Sequence, residues 1–171
     1  MKQSIINLSK LEIKFLKSLL KDGSKHDAQI AKETGMSKAS AHRIRKKLQE
    51  EEVLVDFLPI VDLEKFGIKF YTILIYQWLD FNDESTSKMV KEITDDPHSV
   101  YFATGESSDG MTHVVMLGFT DLSEYHAYID DFRKKHKQKI GKFFSFFIPS
   151  ENVVKQDYSG LVNLSLGGGQ K

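Results

Sequence analysis

Residues 27–52 read DAQIAKETGMSKASAHRIRKKLQEEE, the pattern of two helices joined by a tight turn. Asp27 is placed to cap the first helix, and Gly35 offers the positive φ that ends it. Ser37 then caps the second. Along that helix Ala41, Ile44 and Leu48 recur at i, i+3 and i+7, so one thin stripe faces a core. At 100° per residue Lys38, His42, Arg43, Lys46 and Gln49 fall on or near the opposite side. From Lys38 to Gln49 there are five Lys or Arg and no acidic residue. A short helix with a narrow apolar stripe and a basic, hydrogen-bonding outer face suits the major groove of DNA. Basic solvated helices are common, as are helical hairpins with a glycine turn. The combination, with Ala39, Ser40 and Ala41 keeping the helix start small, points to a helix-turn-helix.

The charge distribution supports that reading. The 171-residue chain carries 24 Lys or Arg and 24 Asp or Glu, yet the balance is uneven. Residues 1–58 hold 12 basic against 8 acidic side chains, and residues 59–171 hold 12 against 16. A basic front and an acidic back suggest two modules, of which the first meets phosphate. The chain has no cysteine, which excludes disulfides and thiolate-held metals and fits a cytoplasmic protein. It shows no signal-peptide core and no apolar run of membrane-spanning length.

Upstream, Ser9 and Glu12 form a capping-box pattern ahead of a helix to about Lys21, whose stripe is Leu11, Phe15, Leu19 and Leu20. Downstream, the β-branched and aromatic run 53–61 (VLVDFLPIV) reads as the short wing of a winged helix-turn-helix and an exit strand. Residues 62–67 look like one helical turn closed by Gly67, a hinge.

Beyond it the pattern becomes strand, helix, strand, strand, helix, strand. Phe70–Leu79 is a central strand, and a helix follows from Asp83 to about Asp95. Val100–Thr104 and His113–Phe119 are strands flanking a turn. Asp121 and Glu124 open a helix to about His136, with Leu122, Tyr125, Ile129 and Phe132 inward. Lys142–Ile148 (KFFSFFI) is the last strand. This βαββαβ order is the ferredoxin-like arrangement. Its strands are apolar on both sides, so the sheet face opposite the helices predicts a homodimer or higher homo-oligomer. Residues 150–158 are read as a continuation along the sheet edge, and the Gly-rich end as flexible.

The fold class expected is therefore α+β, with an N-terminal winged helix-turn-helix (1–61), a linker (62–68), a ferredoxin-like dimerisation and effector domain (69–150) and a C-terminal extension with a flexible tail (151–171). At the residues GMSKASAHRIRKKLQEEEVL, DLEKFGIKFYTILIY and ATGESSDG, the sequence resembles the Lrp/AsnC (leucine-responsive, feast/famine) transcription regulators. The resemblance spans about Leu8 to Ile148. Gly35, Ser37, Arg43, Lys47 and Leu48 fall where that family favours their types. Ile44 sits one position early, Glu52 replaces the usual helix-ending glycine, and Asp109 is displaced from the usual spacing after Gly105.

The resemblance implies sequence-specific binding of double-stranded DNA and modulation by a small molecule such as an amino acid. Ser37 and Ser40 at the helix start would meet phosphate through the open amides there. Lys38, His42, Arg43 and Lys46 would reach bases or backbone, with Arg43 best suited to guanine. Arg45 and Lys47 flank the apolar stripe and would touch phosphates or stay solvated. Thr104, Gly105, Glu106 and Asp109 would hold the effector at the dimer interface. By composition alone that loop is a polar turn, and composition favours the turn.

His26, His98, His126 and His136 read as surface residues and His113 as a core histidine. No spacing suits a metal, and no cofactor is expected. An enzymatic alternative exists, since sirohaem decarboxylases share the two-module architecture, but no His/Arg cluster suited to propionates stands out. A winged-helix regulator of another family is a third possibility, which the βαββαβ order opposes.

Overall fold

The structure is a computed structural model and describes residues 7–56, 61–80, 82–153 and 159–167. The described residues divide into two compact units, those within 1–60 together with those within 156–171, and those within 61–155.

The front unit is helical. In α1 (Lys10–Lys21) Ser9 Oγ accepts from Glu12 N at 3.3 Å and Glu12 Oε2 accepts from Ser9 N at 2.7 Å, a complete capping box. α2 (Asp27–Thr34) begins one residue earlier than expected. His26 occupies the cap position, and Asp27 lies in the first turn with its carboxylate turned toward the next helix. Gly35 is left-handed at φ 74° and ends α2 as read from sequence. α3 (Lys38–Glu50) is capped by Ser37, whose Oγ accepts from Ser40 N at 3.1 Å. Phe15, Leu19, Ile30, Ala31, Ala41, Ile44 and Leu48 form the core of the three helices.

The expected wing does not form in the described residues 53–56, and residues 57–60 lie outside the description. Glu52 takes a left-handed conformation at φ 53°, turning the chain back beneath α3. The amides of Val53 and Leu54 both donate to Leu48 O, at 2.9 and 3.0 Å. Their side chains pack on the helical core. Apolar residues that cap and cover a helix end carry the same composition as a strand, which explains the misreading.

In the second unit a 3₁₀ turn at Leu63–Phe66 is closed by Gly67 at φ 88°. The order is then β1 (Phe70–Trp78), α4 (Asp83–Thr94), β2 (Ser99–Thr104), β3 (His113–Phe119), α5 (Leu122–Lys135) and β4 (Ile140–Pro149). The strands make one antiparallel sheet in the order β2-β3-β1-β4, with β1 central. Alternation sends Phe70, Leu74, Tyr76, Trp78, Val115, Leu117 and Phe119 toward Met89 and Ile93 of α4 and Tyr125, Ile129 and Phe132 of α5. Leu122, expected inward, is exposed.

His136 and His98 are not the surface residues expected. His136 is 7% exposed, set edge-on to Trp78 and Phe132. His98 lies over Phe119 between Asp96 (2.9 Å) and Glu124 (3.2 Å). His113 is buried in the core, with Nδ1 2.7 Å from Thr112 Oγ1.

After β4 a second 3₁₀ turn covers Ser150–Asn152 in place of the expected extended edge. Ser159–Gly167 forms α6, which lies against α1, and the Gly-rich end expected to be flexible falls mostly outside the described residues. Residues 154–158 and 168–171 lie outside the description.

Candidate nucleic-acid interface and effector loop

The core stripe of α3 determines which of its cations are available. With Ala41, Ile44 and Leu48 buried, Lys38, His42, Arg43, Lys46 and Gln49 are exposed together. Lys38 and Arg43 meet no carboxylate at ion-pair distance among the described residues. Lys46 Nζ lies 3.6 Å from Glu50 Oε1, an exposed pair of little energetic weight. Ser37 and Ser40 hold each other, Oγ to Oγ at 2.9 Å, and the Lys38 and Ala39 amides at the helix start have no intrahelical acceptor.

The remaining cations of α3 are turned toward the other helices. Arg45 Nε donates to Asp27 Oδ1 at 2.6 Å, Arg45 Nη2 donates to Lys25 O at 2.8 Å, and the guanidinium lies 5.3 Å from the centre of the Phe15 ring. Lys47 Nζ donates to Glu12 Oε1 at 2.7 Å. His42 Nδ1 is 3.0 Å from Asp27 Oδ2, while most of its ring stays exposed.

Burial opposes charge on Asp27, but hydrogen bonds and charge from Arg45 and His42 outweigh it and hold the carboxyl below its ordinary value. The Glu12 carboxyl is likewise low, chiefly through its bond from Lys47. Two buried or half-buried carboxylates therefore fix the roll of α3 against α2 and α1. Neither pairing was legible from sequence, because the partners lie 18 and 35 residues apart.

The loop between β2 and β3 is a closed hairpin. Gly105 N donates to Thr112 O (2.9 Å), Ser107 N to Met111 O (3.1 Å), and Met111 N to Ser107 Oγ (3.0 Å). Thr104, Gly105 and Glu106 line an open groove of about 220 Å³ together with Ile75, Met111 and Val114. Asp109 stands outside this lining, and its carbonyl accepts from Lys142 Nζ at 2.9 Å. The groove opens beside the sheet face turned away from the helices.

That face is apolar across all four strands. The registers align Tyr101, Met116, Ile73 and Phe146 in one transverse row and Ala103, Val114, Ile75 and Phe144 in the next. Phe144 and Phe146 are 62% and 66% exposed.

No family model matches the sequence, and no curated protein does either. Solved structures match closely in shape. An AsnC family transcriptional regulator from Agrobacterium tumefaciens superimposes with a TM-score of 0.73 at 19% identity, covering 87% of this chain and 92% of that one. A transcriptional regulator from Neisseria meningitidis, solved as a complex with L-methionine, gives 0.77 at 15% identity, covering 90% and 96%. AsnC of Escherichia coli gives 0.70 at 10% identity, covering 90% and 99%. The chain has the Lrp/AsnC fold. The resemblance read from its motifs extends to the helix-turn-helix and the βαββαβ sheet, in that order. Among the described residues of this Lrp/AsnC-fold chain no helix is long and apolar enough to cross a membrane, and no group of three or more His, Cys, Asp or Glu is placed to hold a metal.

Proposed function

We propose that this chain is a DNA-binding transcription regulator of the Lrp/AsnC type, acting in the cytoplasm by occupying an operator. The observation that carries the reading is the sorting of charge on α3. Lys38, His42, Arg43 and Lys46 face outward together, while Arg45 and Lys47 are spent on holding the helix in place. Arg43, central and without a carboxylate partner among the described residues, donates to guanine or phosphate, Lys38 and Lys46 neutralise backbone charge, and Ser37, Ser40 and the open amides at the helix start sit against a phosphate. Residues 1–61 form the DNA-binding domain, 62–68 the linker, 69–150 the dimerisation and effector domain and 151–171 a C-terminal extension.

Dimerisation goes through the outer sheet face. Two transverse apolar rows ending in exposed phenylalanines leave a surface that water solvates poorly and that a second copy covers. A two-fold pair presents two copies of α3 to two half-sites. The neighbour solved with L-methionine supports an amino-acid effector, and the groove at Thr104, Gly105 and Glu106 is the candidate seat, with Glu106 suited to an ammonium group.

The test is selection of bound fragments from random duplex DNA, followed by gel shift with Arg43→Ala. The variant is expected to keep its dimer and its helix content and to lose at least about tenfold in affinity, the scale of one bidentate base contact. Unchanged affinity would remove this face from the interface.

A further inference from the structure

α3 does not hold all the cationic surface of the front unit. Lys10, Lys14, Lys17 and Lys21 recur at i, i+4, i+7 and i+11 along α1, the spacing that stacks side chains on one line of a helix. All four are exposed, and none lies at ion-pair distance from a carboxylate among the described residues. Lys25 continues the line past the end of α1. A groove of about 580 Å³ runs alongside, lined by Lys14, Lys17, Lys21, Lys25 and, from α2, Glu33 and Thr34. Glu33, the carboxylate in that lining, is already engaged by Ser18 Oγ at 2.6 Å and Lys25 Nζ at 3.0 Å. Glu33 is thus taken up by Ser18 and Lys25, and the four lysines of α1 keep no ion-pair partner among the described residues.

Its direction is informative. At 100° per residue the lysine line lies roughly 160° around α1 from the side carrying Glu12, Phe15 and Leu19. That other side faces α3, since Glu12 bonds Lys47 and Phe15 lies beneath Arg45. One straight duplex seated on α3 therefore does not reach the stripe. The chemistry of the stripe is also distinct. Ammonium groups are point charges without the planar fork that reads a base edge. No aromatic side chain is exposed along the line to stack on unpaired bases, as a single strand would require. The four lysines span roughly 16 Å of helix, the axial rise of about five phosphates of one strand.

We propose that the α1 lysine stripe is a second, sequence-blind contact for the backbone of duplex DNA, engaging a segment other than the one seated on α3. The proposal rests on the DNA-binding reading above. It makes each protomer a clamp with a reading side and a charge-only side, so that one dimer holds more duplex than its two half-sites.

The test uses the full chain loaded onto beads through a biotinylated 30-base-pair mixed-sequence duplex, followed by a fluorescent duplex of the same kind at low salt. Wild type is expected to capture the second duplex. Lys10→Gln/Lys14→Gln/Lys17→Gln/Lys21→Gln is expected to load within twofold of wild type and to capture about tenfold less, with the slope of log capture affinity against log salt reduced by about 3 in magnitude. The pair Lys14→Gln/Lys17→Gln should fall between, with an unchanged circular dichroism spectrum. Capture that is indifferent to the lysines overturns the stripe and leaves the α3 reading standing. Failure of wild type to load at all sinks both. Displacement of the second duplex by poly-glutamate at equal charge assigns the stripe to an acidic protein and overturns the proposal.

Discussion

Arg45 on α3 donates to Asp27 on α2 across 2.6 Å, and the same carboxylate lies 3.0 Å from His42. One acidic side chain thus fixes two residues of the helix proposed to enter the groove. Both partners of the Arg45–Asp27 pair are largely shielded, so the pair is stronger than a surface ion pair. Asp27→Ala is expected to lower unfolding stability by about 1–2 kcal/mol, the scale of a charge-assisted hydrogen bond. Because the Asp27 carboxyl is held below its ordinary value, its contribution is present above the ordinary carboxylate range and lost as pH falls through the lowered value. Urea midpoints of wild type and variant should differ at pH 7 and converge in strong acid. A gap that persists there would mean the charge is not the cause.

Arg43 and Arg45, two residues apart, should behave oppositely. Arg45→Ala removes a brace and is expected to lower the urea midpoint, with DNA affinity falling only as a consequence. Arg43→Ala leaves the midpoint where it was and weakens DNA binding directly, lowering the magnitude of the log–log salt slope by about 0.9 if it meets one phosphate. Equal effects of the two on stability would contradict the sorting of charge on α3.

Glu52 is the one non-glycine residue with positive φ among those described, at 53°. A side chain in that region costs about 1–2 kcal/mol, and glycine returns part of the gain through its freer unfolded chain. Glu52→Gly is expected to stabilise the front unit by roughly 0.5–1 kcal/mol, read as a higher melting temperature. A lower one would show that the Glu52 side chain makes a contact worth more than the relieved backbone.

Phe146 and Phe144 project from the sheet face opposite α4 and α5, each exposed by more than half. Phe146→Glu places a charge at the centre of that face, where a dimer partner would strip it of water. Sedimentation should show a dimer for wild type and a monomer for the variant, with unfolding by urea still cooperative. A dimeric variant would move the interface elsewhere.

His98 provides a pH signature of the second unit. Burial works against its charge, but its hydrogen bonds to the Asp96 and Glu124 carboxylates prevail and raise its pKa above the ordinary 6.5. Its contribution is fully present below that ordinary value and is lost as pH rises through the folded one. Glu124, held at about 2 mainly by the Thr120 amide and hydroxyl, stays ionised throughout that window. The stability difference between wild type and His98→Gln should be larger at pH 6 than at pH 9. A constant difference would leave His98 as packing alone.

What the sequence could reveal was set by how local the signal is. The Ser9–Glu12 capping box, the Gly35 turn and the apolar runs of β1 and β3 act within a few residues, and each lies where it was expected. The separation of Arg45 and Lys47 from the outward face depends on carboxylates far along the chain, which no window of sequence contains. Val53 and Leu54 were misread because tucking under a helix end and pairing in a wing select the same residue types. His136 was misplaced because one polar residue at a helix end gives no hint of the Trp78 and Phe132 rings around it.

α6 rests on α1 although about 140 residues of chain intervene, with Leu161 and Leu164 still 66% and 73% exposed. A boundary drawn by position along the chain would therefore cut through a folded body. Clipping the protein behind its sheet would undress the side of α1 that α6 covers. A head fragment meant to stand alone would need residues 159–167 grafted back onto it.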